Sequence, residues 1–507
     1  MTDTEPARIS PHDLRFPFSD TIAGYVREYR PGSPALLTVC TADDRLLPLV
    51  LDDGTAAEHL RNLGEPYADA SADLAELLVP GRFVFAYGIY YPEAAGVEFK
   101  ATNLVVTGRR ADDPADSDWS FEDPGWWIAQ IDQLAGFYRR AQFGDGDIDY
   151  ADYRTMLRLG GDRSTTDFVQ ETDTISRMVY GMASAFMLTG NQDYLEVAER
   201  GTEYLRAHMR FVDGDENVTY WYHGIKIEGS SERKLFTSEF DDDYDAVPMY
   251  EQIYALAGLT QTFRVTGDRR IADDIDATLR LFEKFFRDHE NGGYYSHIDP
   301  ITLSPHAESL GANVGRKNWN SVGDHAPAYL INLFLATGEE RHADMLARTF
   351  DTIVTRFPDE EHSPFVNERF HDDWSHDLDH GWQQDRAVVG HNLKIAWNLT
   401  RMQQLRPRAE YGELARRLAE RMPAVGSDLQ RGGWYDVVER TLAPDQEWYR
   451  FAWHDRKAWW QQEQAMLAYL ILAGVERATG EEGDGELLRQ ARQAQAFYNA
   501  FFLDHDE

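Results

Sequence analysis

Phe285-Phe286-Arg287-Asp288-His289-Glu290-Asn291-Gly292-Gly293-Tyr294-Tyr295 closes an apolar helical pattern and opens a glycine-turned loop. The Gly-Gly-aromatic mark returns within Asp428–Tyr435, as Gly432-Gly433-Trp434-Tyr435, and more loosely at Asp213–Tyr220. A second mark alternates with it at Thr189-Gly190, Thr266-Gly267, Thr337-Gly338 and Thr479-Gly480, and Arg406-Pro407 fills the beat before the last. Glycine just past a helix supplies a left-handed stop, so each of these marks reads as a tight corner between helices. Short corners at one end and long loops at the other imply a closed ring of inner and outer helices.

Eleven helices fit this punctuation, at roughly 126–142, 172–188, 192–210, 246–265, 269–287, 319–336, 340–356, 390–404, 409–423, 457–477 and 483–503. An (α/α)6 toroid has one more. The terminal Phe501-Phe502-Leu503-Asp504-His505-Asp506-Glu507 repeats the first half of the opening stretch, so the expectation is a chain that stops in mid-repeat without its last inner helix. Ahead of the ring, Thr21–Tyr29, Ala35–Thr41 and Leu46–Leu51 read as strands. A helix over Ala70–Leu78 and two more strands, Arg82–Tyr91 and Val97–Gly108, follow. Three strands, a helix and two strands is the order of an OB-type barrel. The expected organisation is a mainly α chain: an OB-like β domain at 17–110, a polar linker at 111–124 and an (α/α)6 domain at 125–507.

With 507 residues the chain has room for two or three domains. One cysteine, Cys40, excludes an internal disulfide and suits a reducing cytoplasm. Met1–Arg15 has no apolar run, so neither a signal peptide nor a membrane is expected. A net charge of −37 repels nucleic acid and anionic lipid. Neither is therefore expected as a partner, and a homodimer is left open as the assembly.

The candidate chemistry lies at the starts of the inner helices. In Gly390-His391-Asn392-Leu393-Lys394-Ile395-Ala396-Trp397, His391 and Lys394 are three apart and project from one side of the first turn. An imidazole there can take and give a proton, while the plainer reading is a capping histidine. Equivalent starts carry Arg177, Tyr250 with Glu251, Asn320 with His325, and Lys457-Ala458-Trp459-Trp460-Gln461-Gln462-Glu463-Gln464. Five polar or aromatic clusters at equivalent places would line one funnel with aromatic faces and hydrogen-bond donors, as a carbohydrate site requires.

From about residue 126 to 503 the sequence resembles the N-acylglucosamine 2-epimerase superfamily, which includes cellobiose 2-epimerases and mannose isomerases. The resemblance rests on Gly390-His391 with Trp397 (the family's G-H-x-x-E-x-x-W) and on Lys457-x-Trp459-Trp460-x-Gln462 (its K-x-W-W-x-Q-A-E). It is joined by Glu368-Arg369-Phe370 leading to Asp373-Trp374, by Arg177 at the place of a substrate-binding arginine, and by His325 near the histidine of N-x-x-x-H. What it implies is an (α/α)6 barrel that opens a sugar and moves the C2 proton between histidines, with no metal or cofactor. His391 and His325, with Lys394, would then be catalytic. Arg177, Tyr250, Asn320, Trp397, Lys457, Trp459, Trp460 and Gln464 would bind the sugar.

Three departures bear on that expectation. Lys394 replaces the family glutamate and should lower the imidazole pKa of His391 instead of raising it. Gln464 closes the Trp-Trp motif, with Glu463 one place early, and His325 follows Asn320 by five residues rather than four. The family's second catalytic histidine belongs to the helix expected to be missing.

Other clusters weigh less. His371, His376 and His380 stand among Asp372, Asp373, Asp377 and Asp379 without helical ligand spacing, so a loop is expected there rather than a metal site. Glu239 and the acidic run Asp241–Asp245 could hold a glycosidase carboxylate pair. An (α/α)6 glycosidase and a non-catalytic carbohydrate-binding or scaffold protein therefore stay open beside the epimerase or isomerase reading.

Overall fold

A computed structural model describes residues 16–93, 96–108, 119–229, 231–238, 243–378, 385–444, 446, 449, 455–480 and 485–504. The N-terminal strands are β1 (Phe18–Arg30), β2 (Ala35–Cys40), β3 (Leu46–His59), β4 (Phe83–Glu93) and β5 (Gly96–Val106). They close a barrel in the order β1-β2-β3-β5-β4, with β4 returning to β1. The β3–β5 pairing is parallel and the rest antiparallel, which is the OB arrangement expected from strand order. Ile22, Val26, Leu37, Val39, Leu49, Leu51, Val84, Leu104 and Val106 fill the interior. At Gly24 a Cβ would lie 2.3 Å from the Cys40 carbonyl oxygen, so β1 and β2 approach too closely there for any side chain. The helix α1 is shorter than expected, Leu74–Leu77, because Asp69 bridges Glu58 of β3 and the Ala70 N–H donates to the Ala57 carbonyl at 2.9 Å, which ties the preceding residues to the sheet.

Contacts divide the chain into two compact units, Met1–Trp127 with Ala419–Val438 and Trp453–Glu507, and Ile128–Leu418 with Glu439–Ala452. In the first, the outer face of the barrel (Ala23, Phe83, Phe85) buries against Trp119, Phe121, Trp126 and Phe497. The Ala23 N–H donates to the Gln430 carbonyl at 2.7 Å, and Asp20 accepts from Gln430 and Arg431. Gly433, at φ +76°, lets the loop pass so near Phe497 that a Cβ would sit 2.5 Å from its ring.

The helices follow the expected beat: α2 (Trp126–Phe143), α3 (Thr172–Thr189), α4 (Gln192–Tyr204), α5 (Met249–Thr266) and α6 (Arg269–Leu281) come first. After them come α7 (Trp319–Val322), α8 (Ile331–Thr337), α9 (Glu340–Arg356), α10 (Val389–Leu405), α11 (Ala409–Gly426), α12 (Trp459–Thr479) and α13 (Glu486–Phe501). Gly190, Gly267, Gly338 and Gly480 stop α3, α5, α8 and α12 in the left-handed conformation, as the Thr-Gly marks predict. Burial separates two kinds of helix. In α5 and α10 most residues are buried, whereas α6 buries a stripe of Ile271, Ile275 and Leu281, and α9 one of Leu346, Phe350 and Ile353. A one-sided stripe marks an outer helix and all-round burial an inner one. The result is a mainly helical (α/α) toroid-like fold preceded by a small closed barrel.

One expected helix is broken. The stretch at 319–336 divides into α7, a wide π-type turn over Ala326–Leu330, and α8. Pro327 enters that turn and cannot donate the i→i−4 bond, so the α-helical ladder fails there. No helix among the described residues is long and apolar enough to cross a membrane.

Candidate active site

The second unit sets the register of its inner helices with backbone pairs. Short strands lead into them: Val169–Glu171 pairs with Gly224–Glu228, Val247–Pro248 with His297–Ile298, and Lys317–Asn318 with Arg369–Phe370. At each junction the first helical N–H donates to a loop carbonyl: Thr172 to His223 at 2.9 Å, Met249 to Ser296 at 2.8 Å and Trp319 to Glu368 at 2.8 Å. The starts of α3, α5 and α7 are thereby aligned residue by residue.

At the sixth position from the starts of α3, α5, α7 and α10 stand Arg177, Tyr254, Asp324 and Lys394, Asp324 lying just past the end of α7. They form one connected layer. The Arg177 guanidinium lies 4.2 Å from the Tyr254 ring centroid, the Tyr254 hydroxyl is 3.4 Å from Lys394 Nζ, and Lys394 is ion-paired with Asp324. Arg177 also binds Asp173 and the Tyr250 hydroxyl. Burial opposes the charge on Lys394, and Asp324 more than offsets it, so the ammonium is held above its ordinary range. Asp324, four residues after Asn320, occupies the place the resemblance gave to a histidine.

His391 is the third residue of α10, on the same face as Lys394. Its Nδ1 meets a Glu368 carboxylate oxygen at 2.9 Å, and the other oxygen accepts the Val388 N–H at 2.9 Å. Glu368 therefore orients the ring and selects the tautomer with its proton on Nδ1, leaving proton exchange to Nε2. The ring centroid lies 5.4 Å from that of Trp319, whose ring is 5.9 Å from Lys394 Nζ. Lys394 is thus paired with Asp324, and His391 has a carboxylate of its own. The expected direct antagonism between Lys394 and His391 is replaced by two separate pairs. A further imidazole–carboxylate pair, His223 Nδ1 with Glu251, stands where α3 and α5 begin.

Other predicted residues are placed differently. His325, seventh from the start of α7, is fully buried, with Nδ1 2.8 Å from the Tyr329 hydroxyl and its ring against Phe282 and Tyr294. Burial pulls it down to about 3, so it is a neutral core histidine. Asn320 is half-buried in the first turn of α7, whose cap is Asn318. Trp397 is buried two turns into α10, stacked under Arg401 at 4.7 Å.

Lys457, Trp459, Trp460 and Gln464 belong to the first unit. Lys457 lies two residues before α12 and pairs with Asp428 at 2.8 Å, as Lys317, two residues before α7, pairs with Asp288 at 2.7 Å. Both lysines lock the aspartate of a Gly-Gly loop, which gives Lys457 an anchoring place. Trp459 is 55% exposed and Trp460 half-buried. Gln464 is the sixth residue of α12. Glu463, one place earlier, turns to the Tyr498 hydroxyl, and burial pushes it up to about 7.

In the histidine-rich loop, His371 contacts Arg316 and His376 contacts Asn367, and Asp379 and His380 lie outside the described residues. Of the acidic run, Glu239, Asp241 and Asp242 lie outside them too, and Asp243 binds His297.

Sequence reasoning singled out His391, Lys394, Arg177 and Tyr250 but missed Tyr254, Asp324 and His223, and it read Glu368 only as part of a motif. The spacing of three between His391 and Lys394 was the usable signal, and the same spacing joins Glu251 to Tyr254 and Ser321 to Asp324.

Residues 305–507 match the sequence profile of N-acylglucosamine 2-epimerase (GlcNAc 2-epimerase). Among solved structures, a D-mannose isomerase shares the fold at TM-score 0.59 and 18% identity, over 77% of this chain and 90% of that one. Cellobiose 2-epimerase from Bacillus thermoamylovorans gives TM-score 0.58 and 15% identity, over 75% and 89%. Cellobiose 2-epimerase from Spirochaeta thermophila gives 0.53 and 18%, over 75% and 87%. No curated protein matches the chain by sequence. The profile match thus lies in the C-terminal part of the chain, the helical core shares the fold of these enzymes, and a barrel domain precedes it.

Proposed function

We propose that this chain is a sugar 2-epimerase or aldose–ketose isomerase that moves the C2 proton of an open-chain sugar. The observation that carries the reading is His391, its Nδ1 fixed by Glu368, beside the cationic layer of Arg177 and Lys394. Nε2 of His391 takes the proton alpha to the aldehyde, and the C–H electrons pass into the enediolate. Arg177 and Lys394 donate to the enediolate oxygens, where charge develops, and Tyr250 and Tyr254 hold those cations in place. Protonation at C2 gives the epimer and at C1 the ketose. A cytoplasmic setting suits the single buried cysteine.

Proton NMR in heavy water tests the reading with D-mannose, D-glucose, N-acetylmannosamine and cellobiose. The wild-type protein should wash out the C2 hydrogen of at least one of them, and His391→Gln should stop the exchange while its circular dichroism is unchanged. Exchange at the wild-type rate in that variant would overturn the role of His391.

A further inference from the structure

The first unit holds a cavity of about 360 Å³ between the barrel and its last helices. β1, β4 and the β2–β3 turn line one side, the end of α11 with its Gly-Gly loop another, and α13 the third. None of the lining residues belongs to the second unit, which carries His391. From α13 come Glu486, Gln490 and Gln493, at i, i+4, i+7 spacing and so on one face. Phe83, Pro423, Trp434 and Ala494 make the walls largely apolar. Apolar walls with a few polar groups free to bond are the usual make-up of a small-molecule site.

Those polar groups have defined roles. Gln490 is 7% exposed, and its Nε2 donates to a Glu486 carboxylate oxygen at 2.7 Å. A carboxylate only accepts, so the amide orientation is fixed and Oε1 is the atom left over. That oxygen has no hydrogen bond among the described residues, and it opens to the cavity instead of being sealed in the core. Gln493 Nε2 donates to the Tyr25 hydroxyl oxygen at 3.2 Å, leaving the Tyr25 O–H to donate and Gln493 Oε1 to accept. Burial pushes the Tyr25 phenol up, so it keeps its proton. Glu486 takes Arg489 through Nε and Nη2 at 2.7 Å each, which leaves Nη1 as a donor. The charges cancel: Arg489 answers Glu486, Arg45 answers Asp43, and Lys457 with two backbone N–H groups saturates Asp428.

We infer that this cavity is a binding site for a neutral sugar of one or two rings, separate from the chemistry at His391. A sugar hydroxyl both donates and accepts, which matches amide oxygens standing beside a phenol and a guanidinium N–H. The C–H face of a pyranose matches the apolar wall. An anion would find no unpaired cation there, and a wholly apolar ligand would leave the Gln490 oxygen buried without a bond. The volume lies near the lower end of the range for ligand pockets, about 300–1,000 Å³, which limits the occupant to a small saccharide. The inference does not depend on the proton-transfer reading.

The probes are methyl β-D-glucopyranoside, methyl α-D-mannopyranoside and methyl β-cellobioside, whose methyl acetals keep the reducing-end ring closed and so report binding without turnover. Titration calorimetry of the 507-residue chain should show at least one of them binding. Tyr25→Phe keeps the ring against Phe83 and removes only the hydroxyl, and it should weaken binding by roughly 3–10-fold. Gln490→Leu should weaken it by about tenfold or more. Ala424 is exposed at the rim, so Ala424→Phe should abolish binding in a chain with unchanged circular dichroism. His391→Gln, the control for the other site, should bind the glycoside like the wild type. Four results overturn the inference: no binding of any probe by the wild type, unchanged binding in Tyr25→Phe and Ala424→Phe, loss of binding in His391→Gln, or tighter binding of adenosine, which is neutral but planar.

Discussion

The starts of α7 and α10 are built alike and end differently. Each follows a short strand, and each has a histidine within seven residues of its first turn. His391 is third and His325 seventh, and that separation decides everything about them. Third and sixth residues share a face, three apart, so Asp324, one place before His325, joins the layer with Lys394. The next residue is turned about 100° further round, which sends His325 into the core against Phe282 and Tyr294. Residue type proposes chemistry, and helical phase decides whether it can be used.

The comparison can be broken most directly at the two histidines. His391→Gln should cost roughly 10²–10⁴-fold or more in C2 exchange, whereas His325→Gln should leave exchange per folded molecule within a few-fold. The measurement is single-turnover deuterium exchange normalised to the folded fraction. The next effect belongs to the sixth-residue layer. Lys394→Met leaves Asp324 buried without its cation and should cost about 3–5 kcal/mol in urea denaturation. Combining it with Asp324→Leu should recover most of that stability without recovering exchange.

A smaller effect separates the histidines by pH. His325 titrates near 3 in the native state and at the ordinary value when unfolded. Between those values the unfolded chain binds a proton that the native chain does not, so stability present above about pH 6.5 falls as the pH is lowered. His325→Gln should flatten the decline by about 2 kcal/mol between pH 7 and 5, read from denaturation midpoints at both. Smallest of all, Ser321 holds the third place of α7 and closes a capping box with Asn318. Ser321→Ala should cost about 1 kcal/mol of stability and leave the chemistry intact.

The helices were legible because the outer ones bury a periodic stripe and four of the inner ones stop at Thr-Gly, and the barrel was legible from strand order. Helix phase was not. Periodicity alone starts α5 at residue 246 and α12 at 457, while the structure starts them at Met249 and Trp459. A slip of three residues hides the fact that Tyr254 is equivalent to Arg177 and Lys394. His223 and Glu368 were harder still, because their partners Glu251 and His391 are 28 and 23 residues away and the strands that align them obey no local period. Lys457 misled for a related reason: its motif is real, but its partner Asp428 belongs to the Gly-Gly loop.

The seam between Asp20 and Arg431 spans 411 positions of sequence. During synthesis the barrel can close its own strands early, but the face formed by Ala23, Phe83 and Phe85 is fully covered only when Phe497 joins Trp119, Phe121 and Trp126. At ordinary rates of translation that wait is on the order of tens of seconds. The first unit is therefore the last to be completed, and a ribosome stalled after α10 would present a folded barrel with its aromatic face only partly covered, a natural mark for chaperone capture.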